Sequence, residues 1–210
     1  TQRLLALLLA LVMALSLAAC GAQSAPVEEN TTPETRVFTD SVGREVTVPA
    51  QIDKVALSGP MAQIVLFALC PDKLVGIANA WDESATQYLD TAYYNLPLLG
   101  QLYGGKGELN LETLLQSGAE VVIDVGEQKG SMTDDLNALQ EQTGIPFLHI
   151  DATVATAPEG YRLLGSLLGR EEQAEKLASW CENTYHRATA MMERVDADGA
   201  RKKVLYCLGD

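Results

Sequence analysis

EVVIDVG, residues 120–126, sets four β-branched apolar residues around a single aspartate and runs straight into a glycine. A strand with one wet face alternates apolar and polar residues. This run does not, which predicts a strand covered on both faces in a parallel sheet. Parallel strands need crossover connections, and the flanking sequence supplies them. Before it, NLETLLQSG predicts a short helix with Asn110 as its cap and Gly118 as its stop. After it, MTDDLNALQEQTG predicts a helix ending at Gly144, and IPFLHID a further strand. Upstream, KVALS is expected to be a strand and MAQIVLFAL a helix, with Pro60 at a first-turn position where its missing N–H costs nothing. KLVGIA and LPLLG are also expected as strands. VFTDSVGREVTVP, with Asp40, Ser41 and Gly43 in its turn, predicts an entry β-hairpin. The expected fold class is α/β: a mainly parallel, Rossmann-like lobe with right-handed crossovers.

Beyond Pro158 the alternation stops. EGYRLLGSLLG predicts one helix and REEQAEKLASWCENTYHRATAMMERV a long second one. Ala174, Leu177, Cys181, Tyr185, Ala188, Met192 and Val195 step along it by three or four, which predicts one packed stripe. The next strand signal, KKVLYCLG, stands at the end of the chain. A long helix leading from a finished sheet to a lone strand predicts a connector between two lobes.

At the other end, Arg3, an apolar run from Leu4 to Leu15 and small residues up to Cys20 have the layout of a secretory signal peptide; the run is short for a membrane span. Leu17-Ala18-Ala19-Cys20 resembles the lipobox of bacterial lipoproteins, which implies cleavage before Cys20 and acylation of its thiol. GAQSAPVEENTTPETR then predicts a flexible tether. The expected organisation is a signal over 1–19, a lipidated Cys and tether over 20–36, an α/β lobe over 37–158, helices including a backbone helix over 159–195, and the start of a truncated second lobe over 196–210. The anchor places the protein outside the cytoplasm, held on the membrane by acyl chains and not spanning it.

A chain that is 47% hydrophobic, 20% charged and carries a net charge of −13 is globular and acidic. Such a chain is a poor nucleic-acid binder and offers no polybasic surface to anionic lipid. Cys70, Cys181 and Cys207 lie in apolar patterns and are odd in number, which predicts buried thiols and no disulfide scaffold.

The ordered set DSVGREVTVP, KVALSGPMAQIVLFAL, DKLVGIA, LNLETLLQSGAEVVI and GSLLGREEQAEKL resembles the solute-binding lipoproteins of ABC importers that carry ferric siderophores, haem or cobalamin. The resemblance runs from the entry hairpin to the chain end. It implies two α/β lobes joined by a rigid helix, with only the first strand of the second lobe present here. It also implies a monomer without cofactor or catalysis, which holds a small-molecule metal chelate in a cleft and presents it to an ABC importer permease.

Open parallel sheets bind ligands beyond the carboxyl ends of their strands. Here those ends carry Ser58 and Met61, Trp81, Tyr103 and Gly104, Gly126, and Thr153, the expected ligand-binding residues. Each has a plainer alternative. Ser58 caps a helix, Trp81 packs over its loop, and Tyr103-Gly104 is a turn. Glu112 favours the dipole of the helix it opens; the resemblance implies that it meets arginines on the permease. Gly100 to Gly107 nearly spells a phosphate-binding loop, but Gly107 stands where Mg²⁺ binding needs Ser or Thr. That loop supports the alternative of an exported nucleotide hydrolase only weakly. A direct metal-ion receptor would need a cluster of His, Asp and Glu, and the only histidines, His149 and His186, lie in a strand and on the long helix. Both are expected to be structural, and no Ser-His-Asp arrangement is expected.

Overall fold

A computed structural model describes residues 35–103, 108–199 and 201–205. The signal and lipobox with Cys20, Gly104, the glycine loop up to Gly107, Cys207 and most of the expected last strand lie outside the described residues.

The chain enters through a hairpin. β1 (Thr35–Thr39) pairs antiparallel with β2 (Glu45–Pro49), from Thr35 opposite Pro49 to Thr39 opposite Glu45. Asp40 closes its turn: Oδ1 accepts from the N–H groups of Arg44 (2.9 Å) and Val42 (3.2 Å). The alternation of the strands turns Phe38, Val46 and Val48 into the core. Arg36, expected in the tether, belongs to β1. Its guanidinium donates to the carbonyls of Leu167 (2.6 Å) and Ser166 (3.2 Å), near the end of a later helix.

β3 (Val55–Leu57), β4 (Val121–Gly126) and β5 (Phe147–Asp151) form a parallel sheet in the order 3-4-5. β4 is central, and residues 121–125 are all buried, as a run apolar on both faces requires. KLVGIA and LPLLG lie beyond β3 but make only single parallel bridges, Val55 with Leu74 and Ile77 with Leu98. Pro97 has no N–H to give a ladder there. The side chain of Leu99 fills the space a Cβ on Gly76 would take (2.5 Å), so the two expected strands stay short.

Each face of the sheet has its own cover. α1 (Pro60–Leu69) and α5 (Ala157–Leu168) pack on the face carrying Leu57, Ile123, Val125, Leu148 and Ile150. After the short α2 (Thr91–Tyr94), α3 (Leu111–Gln116) and α4 (Met132–Thr143) supply Leu114, Met132 and Leu136 to the other face, against Ala56, Val122 and Phe147. Their ends follow the sequence signals: Asn110 Oδ1 accepts from the Thr113 N–H (3.0 Å), and Gly144 ends α4 at φ 71°.

α6 (Glu171–Ala197) is the long helix. Ala174 and Ala178 are buried, and a Cβ on Gly165 of α5 would lie 2.5 Å from that of Ala174, so the two helices meet almost backbone to backbone. The stripe does not stay packed along its length: Tyr185, Ala188 and Met192 are exposed. Residues 201–205 form no strand, and Val204 and Leu205 are exposed. Among the described residues no helix is long and apolar enough to cross a membrane.

Candidate functional site

Two adjoining cavities lie at the carboxyl ends of β3, β4 and β5. The smaller, about 250 Å³, is lined by Ser58, Met61, Tyr103, Asp124, Glu127 and Lys129. The larger, about 450 Å³, is lined by Met61, Val65, Glu127, Thr153, Tyr161 and Cys181. Met61, Gly126 and Glu127 belong to both, so the two form one elongated depression with a polar and an apolar end. Gly126 makes the chain leave β4 at φ 152°, a conformation side-chain-bearing residues avoid, and a Cβ there would meet nothing. Two further cavities, about 360 and 390 Å³, sit around the first turn of α6 and gather none of the expected site residues.

The polar end is set by a row across the sheet. Asp124 on β4 lies opposite His149 on β5, and Ser58 follows β3, with its N–H donating to Ile123 O (3.1 Å). The Ser58 hydroxyl donates to Asp124 Oδ1, and His149 Nδ1 lies 2.7 Å from Asp124 Oδ2. All three are buried, and among the described residues His149 Nε2 has no partner. Asp40 of the hairpin turn completes the support by accepting from the His149 N–H (3.3 Å) and from Arg44 Nη1 (3.1 Å). This is not a nucleophile and its base: the serine meets the carboxylate and not the imidazole.

The rim adds further groups. Tyr103 donates to Asp135 Oδ2 (3.1 Å), and the Lys129 ammonium sits 3.8 Å from the centre of its ring, a cation–π contact. Burial, then that hydrogen bond and the charges of Asp135 and Asp124, raise the Tyr103 phenol above its ordinary range. Burial likewise raises Tyr161 and Cys181, so these two side chains stay neutral in the wall of the larger cavity.

Of the expected site residues, Ser58, Met61, Tyr103, Gly126 and Thr153 therefore surround one depression. Ser58 does not cap α1, whose N-cap Gly59 has no side-chain bond. Trp81 lines neither cavity. It packs edge-on against Phe67 (5.2 Å between ring centres) and donates from Nε1 to Tyr93 O (3.3 Å), pinning its own loop. Glu112 is exposed in the first turn of α3, its Oε1 accepting from Gln116 Nε2 (3.2 Å). Cys70 is buried, whereas Cys181 is only half-buried and opens onto the larger cavity. Among the described residues no group of His, Cys, Asp and Glu could hold a metal ion directly.

Sequence reasoning missed the row of Ser58, Asp124 and His149. Its signal was present: the aspartate inside EVVIDVG and the imidazole inside FLHID, each charged or polar where both faces are covered, need a partner.

No family model matches the chain, and no curated protein matches it in sequence. Solved structures do match. An ABC transporter solute-binding protein from Sulfurospirillum deleyianum aligns at TM-score 0.58 and 24% identity, over 69% of this chain and 45% of that one. A molybdate periplasmic binding protein from Haemophilus influenzae aligns at TM-score 0.53 and 18% identity, over 68% and 49%. The haem-binding protein HmuT aligns at TM-score 0.52 and 18% identity, over 81% and 53%. The chain thus has the fold of ABC-transporter solute-binding proteins, and it spans about half the length of the structures it matches.

Proposed function

We propose that this protein is an extracytoplasmic solute-binding component of an ABC importer, which captures a small-molecule metal chelate of the ferric-siderophore, haem or cobalamin kind. The observation that carries this is the elongated depression beyond the carboxyl ends of β3, β4 and β5, in a fold shared with transport binding proteins. Its largely apolar end suits the organic body of a chelate, and its polar end fixes orientation. In such a ligand the metal arrives already ligated by the chelator. Ser58, Met61, Tyr103, Gly126 and Thr153 are the ligand-facing residues in this account, and Trp81 holds the neighbouring loop.

Glu112, exposed at the start of α3, docks on cationic residues of the permease, and acylated Cys20 holds the protein at the membrane. The test is uptake of a ferric trihydroxamate, haem and cobalamin by cells with and without the gene. Loss of uptake of one chelate, restored by the wild-type gene, is expected. Unchanged uptake of all three would remove the chelate assignment. Cys20→Ser is expected to release the protein from membranes, read by fractionation and by mass spectrometry of the mature N-terminus.

A further inference from the structure

Asp124 is a buried carboxylate whose only ionisable partner among the described residues is His149. The charge state of that pair follows from the other side of the ring. His149 is fully buried, and among the described residues its Nε2 touches no acceptor. An imidazolium would bury an N–H with nothing to receive it, whereas the neutral ring leaves only an idle lone pair, the smaller penalty. The neutral tautomer therefore donates from Nδ1 to Asp124, and the carboxylate keeps its full negative charge.

An ionised carboxylate only accepts, and it offers about four lone-pair positions. Ser58 and His149 fill one on each oxygen. The Asp124 side chain is 10% exposed, and that part opens into the smaller cavity. Among the described residues no cation sits beside this carboxylate, and a buried charge without one is costly, so the cavity floor favours one from outside.

Two opposing features are weaker. Lys129 is spread over the Tyr103 ring, and Tyr103 is in turn bonded to the Asp135 carboxylate. The N-terminus of α1 brings about half a positive charge, and Pro60 removes one of its donors. Against them stand Asp124 on the floor and Glu127 on the rim.

We propose that Asp124, held by Ser58 and His149 at the floor of the smaller cavity, is the docking point for a positively charged hydrogen-donating group, an ammonium or guanidinium, on a ligand whose apolar body fills the larger cavity. This rests on the binding role proposed above and names the charge of the cargo's polar end. Ser58 and His149 both fix the carboxylate; His149, which lines neither cavity, is a positioning residue, and Ser58 also faces the ligand from the wall of the smaller cavity.

The test has two arms on the 210-residue chain. In the first, ¹⁵N NMR of the unliganded protein at pH 7 should show His149 neutral with its proton on Nδ1; an imidazolium would overturn the proposal. In the second, 2-phenylethylammonium and 3-phenylpropanoate, of similar shape and opposite charge, are titrated by amide shifts. The ammonium should bind at least ~10-fold more tightly at low salt, with shifts at Asp124 and Gly126. Asp124→Asn should bring the two within about 2-fold.

Equal binding by the wild type, or a preference that survives Asp124→Asn, would overturn it. So would a cation preference appearing only in Lys106→Gln, a change to the glycine-loop lysine that lies outside the described residues, since a cation of the chain would then already serve Asp124. If Asp124→Asn does not fold, the wild-type preference and its loss on adding salt decide the matter. Chelate binding without ammonium preference would end this inference and leave the transport role standing. Ammonium binding without any chelate binding would do the reverse.

Discussion

Asp124 and His149 show what a single residue can and cannot announce. Each breaks an apolar strand, and the physics of burial demands a partner for each. The sequence cannot say that the partners are one another, because that depends on the register pairing β4 with β5. Asp40 is a similar case: it reads as a turn residue, yet its carboxylate also serves Arg44 and the backbone of His149. Arg44 is nearly closed off from water, 8% exposed in its side chain. Asp40→Ala should therefore cost about 3 kcal/mol in urea unfolding, since it strands a buried charge as well as a turn. A loss within ordinary surface values, under about 0.5 kcal/mol, would mean that the turn holds without it.

At the scale of elements, local signals carried furthest where they were self-contained. Asn110, Gly118 and Gly144 delimit helices because caps act within a few residues. The segments after Lys73 and Leu96 have strand composition but make single bridges, because ladder length depends on what a neighbour offers, and Pro97 offers no N–H. The contact of α5 with α6 rests on Gly165 and on a clamp in which Arg162 donates to both oxygens of Glu175 (2.8 and 2.9 Å) and to Glu182 (2.7 Å). Gly165→Ala should force the helices apart and cost ~1–3 kcal/mol in thermal or chemical unfolding.

Hydrogen bonds from Arg162 come first among the causes that hold both glutamates below the ordinary 4.5. Their folded values are depressed, so whatever the clamp contributes is present above 4.5 and is lost as pH falls through the folded values. Arg162→Gln should move both titrations back towards 4.5, followed by NMR of the side-chain carboxyls. Unmoved titrations would mean that the clamp is not formed in solution.

For the whole molecule, the alternation that builds β3, β4 and β5 with their crossover helices was legible, and with it the end of the sheet where a ligand belongs. The shape of the depression was not. Val65, Tyr161 and Cys181 reach it from α1, α5 and α6, and only the packing of those helices brings them together. Trp81 illustrates the converse: an aromatic at a strand end that the fold spends on its own loop.

Glu112 lies outside the lining of either cavity, so binding and delivery should separate. In the whole protein, Glu112→Ala should lower uptake while chelate affinity stays within about 2-fold, as exposed substitutions usually do. A large loss of affinity with normal uptake would reverse that assignment. Chelate binding at the strand ends is read by amide-shift mapping with a ferric trihydroxamate, haem and cyanocobalamin. Saturable shifts with one of them are expected, concentrated at residues 58–61, 126–127 and 152–154. Shifts confined to the first turn of α6, or no saturable change with any of the three, would contradict it.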